Sequence, residues 1–269
     1  MSRGLRLWGV ILSAGDSSRM GSDKALLPWP PRPPDAAGAG RGARAAGALR
    51  PAPNNAGTLL DAAILALKPF TVAVIVVAGA NTPRLAGIAA AHGARLVRNP
   101  APEQGQFSSL QTGLRALRAG GGDAAAITPV DCPPLMPASL ERLVAALAPA
   151  LDRGKWAVAP ENRRRHGHPL LAGRELIAAW LAAPATGNAR AINRAHEAQF
   201  EYVAVADAWL GVELNTPAQY AALAAQLALV RYARRTGLAL RAWPRDGAPG
   251  APVAPNKRAG EARVPAPIK

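Results

Sequence analysis

Along the first 160 residues, short apolar runs of strand length alternate with helix-length patterns, and few architectures can accommodate that rhythm. Runs at Arg6 to Leu12, Val72 to Ala78, Arg95 to Arg98, Ala124 to Val130 and Trp156 to Ala159 predict buried strands. Between them, 58–67, 82–91, 108–119 and 138–148 predict helices, the last opened by Pro137 and Ser139. Strand, helix, strand in repetition predicts an α/β fold: a single-domain, doubly wound, mostly parallel Rossmann-like sheet flanked by helices. Such a sheet binds its ligands in the crevice beyond the carboxyl ends of the strands. After residue 160 the rhythm loosens into helices near 173–182, 188–196 and 217–230 with one strand at 200–205, expected to complete the side that holds a second substrate.

Two segments fall outside this pattern. The stretch 30–57, opening on Pro30-Pro31-Arg32-Pro33-Pro34, and the region after residue 230 are rich in Pro, Gly, Ala and Arg. Such composition buries too little apolar surface to offset the entropy of ordering. The expected organisation is therefore a domain over 1–230 carrying a low-complexity insert at 30–57, followed by a basic tail over 231–269. Charge follows the same division. Residues 228–269 hold nine Lys/Arg against two acids and residues 30–57 four against one, which leaves +5 of the formal +15 on the remainder. The core is only mildly basic, and the tail lacks the aromatic interleaving that single-strand nucleic-acid binders use for stacking. Specific nucleic-acid binding is not expected.

No run approaches the roughly 18 to 20 apolar residues of a membrane span, and the start has too short an apolar stretch for a secretory signal, so a cytoplasmic protein is expected. One cysteine, Cys132, and four scattered histidines exclude an intrachain disulfide framework and a zinc-type ligand cluster. Any metal would be held by oxygen.

The segment Leu12-Ser13-Ala14-Gly15-Asp16-Ser17-Ser18-Arg19-Met20-Gly21-Ser22-Asp23-Lys24 follows the first strand and mixes small residues with two cations. Small residues let backbone N–H groups approach phosphate oxygens, while Arg19 and Lys24 can neutralise a triphosphate. Gly15 and Gly21 are too far apart for a Walker A loop, and the dinucleotide pattern GxGxxG is missing. Kinase and dehydrogenase readings lose their support.

Read on, LSAGDSSRMGSDKALLPW resembles the signature L-x-A-G-x-S-x-R-M-G-x-x-K-x-L-L-P of the molybdenum cofactor nucleotidyltransferases, with the cytidylyltransferase branch the nearest likeness. Four further stretches fall in family order: Asn99 to Leu110, Pro129 to Leu135, Gly167 to Leu170 and Val212 to Tyr220. Together they cover about residues 7–225.

The resemblance implies transfer of a nucleotidyl group to the terminal phosphate of molybdopterin, with Mg²⁺ (or Mn²⁺) and release of pyrophosphate. It implies nucleotide contacts from Leu12, Ser13, Ala14, Gly15, Ser17, Arg19, Gly21 and Lys24 in the loop, and from Gly105, Ser108 and Ser109 before the third helix. The serines are also placed to cap that helix. Arg19, Lys24 and Asp131 are the expected catalytic residues.

Asp131 stands just past the fourth strand as a hard oxygen ligand for the metal. Either Glu213 through its carboxylate or Asn215 through its carbonyl completes the shell, and alternation about Leu214 points both the same way. Gly167, His168 and Pro169 are expected to contact the acceptor, with Arg163, Arg164 and Arg165 just upstream either meeting its negative charge or forming a solvated basic loop.

Ser13-Ala14-Gly15, in place of a Gly-Gly ending, favours CTP over the GTP of the guanylyl branch. A molybdoenzyme or its chaperone is a possible recipient of the product. Rival readings are a sugar 1-phosphate acceptor with the same chemistry, and a noncatalytic protein that carries the cofactor to a partner. The insert at 30–57 is the main departure from the family, which passes from K-x-L-L-P to its first helix within a few residues.

Overall fold

In a computed structural model, residues 4–15, 17–31 and 57–236 are described, and side chains only to residue 228. Most of the expected low-complexity insert, and the expected basic tail beyond residue 236, lie outside the described residues. Eight strands form one sheet among the described residues: β1 (Leu7–Ser13), β2 (Val74–Ala78), β3 (Arg95–Arg98), β4 (Ala124–Pro129), β5 (Ala157–Asn162), β6 (Arg165–His166), β7 (Leu170–Ala172) and β8 (Phe200–Ala204). The helices are α1 (Leu59–Leu67), α2 (Thr82–Ala91), α3 (Gln106–Ala119), α4 (Pro137–Asp152), α5 (Arg174–Ala182), α6 (Ala189–Ala195) and α7 (Pro217–Thr236). The last helix passes the boundary expected at residue 230.

The strand order is β3-β2-β1-β4-β7-β5-β6, with β8 on β5. β1 pairs in parallel with both β2 and β4, so the chain winds outward to one side and then returns to the other. The crevice between the carboxyl ends of β1 and β4 is therefore the topological switch point, where ligands of such sheets bind. β1, β2 and β4 are buried at every position, which is why they read as unbroken apolar runs rather than alternating ones.

Two strands, β6 and β7, run antiparallel in the mostly parallel sheet expected. β7, not foreseen in the sequence, lies antiparallel between β4 and β5. β5 and β6 form a hairpin through Asn162↔Arg165, and β7 continues the same return leg against β5. Between them the register slips by two residues, which bulges Gly167-His168-Pro169 out of the ladder.

Two apolar layers cover the sheet. One joins α1, α2 and α4 to β1, β2 and β4 through residues such as Ile11, Ile64, Val76, Leu85, Leu143 and Leu147. The other joins α3 and α5 through Val10, Val77, Leu114, Leu117, Ile177 and Trp180. α3 rides close on the sheet because Gly113 carries no side chain: a Cβ there would sit 2.7 Å from Val10 Cγ1 and 2.9 Å from Val77 Cγ2.

A third, smaller cluster of Met20, Leu27, Leu59, Leu214, Tyr220 and Leu223 binds the segment after β1 to α1 and α7. Around it the two ends of the insert are joined: Trp29 N donates to Gly57 O at 2.8 Å, Leu59 N donates to Leu27 O at 2.9 Å, and Pro28 bridges Thr58.

α1 starts on a capping box. Asp61 N donates to Thr58 Oγ1 at 3.1 Å, and Thr58 N donates to Asp61 Oδ2 at 2.7 Å. His92 Nε2, at the end of α2, lies 2.7 Å from Asp61 Oδ1. Burial acts to raise the Asp61 pKa, but the hydrogen bonds from Thr58 and then His92 outweigh it and hold the carboxyl below its ordinary 3.8. A carboxylate depressed on folding adds stability above its unfolded pKa, and that stability disappears as pH falls through the folded value. Wild type is therefore expected to lose thermal stability between pH 5 and pH 3 more steeply than Asp61→Asn, which lacks this titration. Melting curves at intervals across that range read the difference, and parallel curves for the two proteins would refute it.

No helix among the described residues is long and apolar enough to cross a membrane.

Candidate active site

The segment after β1 folds as two short 3-10 turns, Ser18–Met20 and Lys24–Leu26. Ser17 (φ 54°) and Gly21 (φ 68°) take the left-handed conformation at the ends of the first. Asp23 opens the second, its Oδ1 accepting from Ala25 N at 3.1 Å. Lys24 N donates to Ser17 Oγ at 3.2 Å, closing the loop on itself. Arg19 is exposed, with no carboxylate paired to it among the described residues.

Two residues that sequence reasoning missed clamp this loop to the sheet. Asn81, beyond β2, donates through Nδ2 to Ser13 O and to Asp23 Oδ2, both at 2.9 Å, while its Oδ1 accepts from Gly79 N at 3.0 Å. Gly79 lies so close that a Cβ would stand 2.7 Å from Ala14 O. The sequence signal was the Gly-Ala-Asn run at the end of the second strand, where a switch-point crevice opens.

Lys24 and Asp131 meet across the switch point. The Lys24 ammonium donates to Asp131 Oδ2 and to Asn215 Oδ1, both at 2.7 Å. Asn215 Nδ2 in turn donates to Glu213 Oε2 at 3.1 Å. The expectation that Glu213 and Asn215 share a side of the Glu213–Asn215 turn holds. Leu214 N donates to Asp131 O at 2.9 Å, tying that turn to the end of β4, while Leu214 itself sits in the third apolar cluster.

With side chains 13 % and 22 % exposed, the Lys24–Asp131 pair is partly shielded from solvent. Burial, followed by the carboxylates of Asp131 and Glu213, pushes the Cys132 thiol well above its usual range, so beside Asp131 it stays protonated.

On the β2 side, Asn99 N donates to Ala78 O, and Asn99 Nδ2 donates to Ser108 Oγ at 2.9 Å and Ser109 Oγ at 3.0 Å. The serines do not cap α3 as expected. The cap residue is Gly105 (φ 95°), and Ser108 Oγ donates back to its carbonyl at 2.8 Å. Both hydroxyls are buried and committed to Asn99, so the first turn of α3 is fixed from beneath.

On the other side of β4, the bulge places His168 and Pro169 beside Thr128, Cys132 and Pro133 in a small pocket. His168 Nδ1 donates to Ile127 O at 3.3 Å. Burial lowers its pKa from 6.5 despite that bond and the carboxylates of Glu213 and Asp131, so the ring is neutral and keeps Nε2 as an acceptor. Leu210 packs closely over Gly167: a Cβ there would stand 2.4 Å from Leu210 Cδ1, so any larger residue would displace that side chain.

The sheet edge thus carries the glycine loop, the Lys24–Asp131 contact and the His168 bulge in spatial order. The model of the MobA-like NTP transferase domain matches residues 9–200 of this chain. The chain belongs to that family.

A molybdenum cofactor guanylyltransferase of Xanthomonas euvesicatoria pv. vesicatoria is 34% identical over 143 residues, 52% of this chain and 55% of that protein. This MobA-like domain thus aligns with only about half the length of that relative. One from Cereibacter sphaeroides is 32% identical over 186 residues, covering 66% of this chain and 77% of its own. The solved structure of a nucleotidyl transferase from Methanothermobacter thermautotroptrophicus superposes with a TM-score of 0.59 at 21% identity, covering 87% of this chain and all of that one, a likeness of fold.

Proposed function

We propose that this MobA-like domain transfers the nucleotidyl group of a nucleoside triphosphate to the terminal phosphate of molybdopterin. The observation that carries the reading is the Lys24–Asp131–Asn215 contact at the switch point. There the ammonium of Lys24 occupies a nest of hard oxygen donors beside a glycine-containing loop. The same donors suit a divalent cation: Asp131 and Glu213 supply carboxylates, Asn215 a carbonyl, and the triphosphate would complete the shell. Mg²⁺ is the cation proposed, with Mn²⁺ a substitute. Bound there, it would neutralise phosphate charge and polarise the α-phosphorus.

In the transfer, an acceptor phosphate oxygen forms a bond to the α-phosphorus while the bond to the bridging oxygen of pyrophosphate breaks in line. Pyrophosphate leaves with that electron pair. The attacking phosphate has a second pKa of about 6 and is already ionised at neutral pH, so no general base is needed. The chain's task is positioning and charge. Ser13 to Lys24 cradle the triphosphate, Arg19 and Lys24 offset its charge, and Gly105 with the first turn of α3 frames the nucleoside. The Gly167-His168-Pro169 bulge faces the acceptor, whose product would pass to a molybdoenzyme or its chaperone.

For the base, CTP is proposed from Ser13-Ala14-Gly15, which stands in place of the Gly-Gly ending of the guanylyl branch. A second reading, GTP, is favoured by the guanylyltransferase names of the curated relatives. Pyrophosphate release with CTP, GTP, UTP and ATP, molybdopterin and Mg²⁺ decides between them. CTP alone supports the argument from Ser13-Ala14-Gly15 and GTP alone the second reading. No release with any of the four would overturn the proposed function and reopen the sugar-phosphate and carrier readings.

A further inference from the structure

The loop joining β5 to β6 consists of two residues, Arg163 and Arg164, closed by the Asn162↔Arg165 pair. Both have positive φ, 50° and 65°, the signature of a type I′ turn, which favours Asn and Gly and disfavours long side chains. The turn therefore holds two arginines against local preference. Both are exposed, and neither is paired with a carboxylate among the described residues. The nearest acid in sequence, Glu161, is engaged by His166 at 3.0 Å, and the His166 ring is stacked on Tyr202 at 3.9 Å.

Register places this turn relative to the reaction. Through β7, Ala125 lies level with Ala157 and Ala126 with Leu171 and Val158. β4 and β5 run in the same direction, so the same register sets Pro129, the last residue of β4, level with Glu161. Asp131 and Arg163 each follow two residues further on at the same end of the sheet. The two strands are separated by two strand spacings, on the order of 10 Å. The His168 bulge lies between them on the return leg of the same hairpin, feeling the carboxylates of Asp131 and Glu213. The phosphate loop is on the opposite side of β4, beyond β1. The turn therefore lies at the carboxyl end of β5, on the side of β4 away from the phosphate loop.

We propose that Arg163 and Arg164 form an outer anion subsite for the acceptor, gripping a second negatively charged group of that molecule remote from the phosphate that reacts. This rests on the proposed function in taking the acceptor to be molybdopterin. Paired guanidinium contacts to an anion are among the stronger hydrogen bonds, and their loss is expected to weaken acceptor binding about tenfold or more.

The test compares the full chain with the double variant Arg163→Asn/Arg164→Gly, which installs a favoured type I′ pair and so is expected to fold at least as well. Equilibrium titration with molybdopterin, without nucleotide, should show the tenfold loss. Arg163→Lys/Arg164→Lys should recover part of it, and affinity for the nucleoside triphosphate and for inorganic pyrophosphate should not change. Equal molybdopterin binding by wild type and the Asn/Gly variant would overturn the subsite while leaving the proposed function standing. An equal loss for pyrophosphate would reduce the turn to a general anion patch and overturn it as well. Wild-type protein that binds nucleotide but not molybdopterin would instead sink the proposed acceptor, and the subsite with it.

Discussion

Asp131→Ala is expected to lower pyrophosphate release by about 10²- to 10³-fold, the range seen when one preorganised charge-stabilising group is removed from a transition state. Asp131 is the carboxylate that both Lys24 and a cation at the switch point would share. Its backbone carbonyl, which receives Leu214 N, survives the substitution, so the Glu213–Asn215 turn should keep its place. The cost in stability should be small. Lys24 retains Asn215 Oδ1 at 2.7 Å and is not fully buried, and a partly exposed pair is worth about 1 kcal/mol. The decisive comparison is therefore the rate against the melting temperature. A large fall in rate with a nearly unchanged melt supports a catalytic carboxylate. A rate within a few-fold of wild type would remove Asp131 from the site.

Lys24→Met should also lower turnover by about 10²-fold, while changing metal binding in the opposite direction. Without nucleotide, the Lys24 ammonium donates to the oxygens of Asp131 and Asn215 that a divalent cation would use. Removing the ammonium leaves those donors uncompensated, so Mn²⁺ titrated onto nucleotide-free protein and followed by its paramagnetic resonance should bind more tightly than to wild type. With the triphosphate present, the lysine is needed for the phosphates and the advantage should vanish. Lys24 and Asp131 act in one network, so the double substitution should cost less than the product of the two single effects. Unchanged Mn²⁺ affinity in Lys24→Met would show that lysine and metal do not compete for these oxygens.

How much of this was legible in advance depends on the physics of each part. β1, β2 and β4, at the centre of the sheet, are buried on both faces, so each announced itself as an apolar run. β3 falls where expected but is not the buried strand expected there, since it lies at the sheet's edge with Arg95 and Arg98 exposed. β6 and β7, of two and three residues, are too short for any period to show, and the Gly-His-Pro bulge between them reads as loop. With them went the antiparallel pairing in the sheet, since strand direction leaves no mark on composition.

The cations and carboxylates of the site were visible as residue types in a recognisable order. That Lys24 bonds both Asp131 and Asn215, across separations of 107 and 191 residues, was not, because it depends on which strands are neighbours. Ser108 and Ser109 looked like caps because serine before a helix usually is one. The competing partner was Asn99, whose side chain reaches them only once β3 is laid beside β2. Asn81 stood in a short Gly-Ala-Asn run that belongs to no motif, and its role shows only once its side chain bonds Ser13 O and Asp23 across the switch point.

The bonds that join Leu27 and Trp29 to Gly57 and Leu59 make a closed collar at the foot of the low-complexity segment. Changing the number of residues between Pro31 and Gly57 is then expected to cost the folded domain little, because the entropy of closing a chain between pinned ends changes only slowly with its length. A fluorophore or affinity handle spliced there would sit a few residues downstream of Lys24 without replacing any side chain of the site. It would make the collar a natural port for reporting nucleotide occupancy in the intact protein.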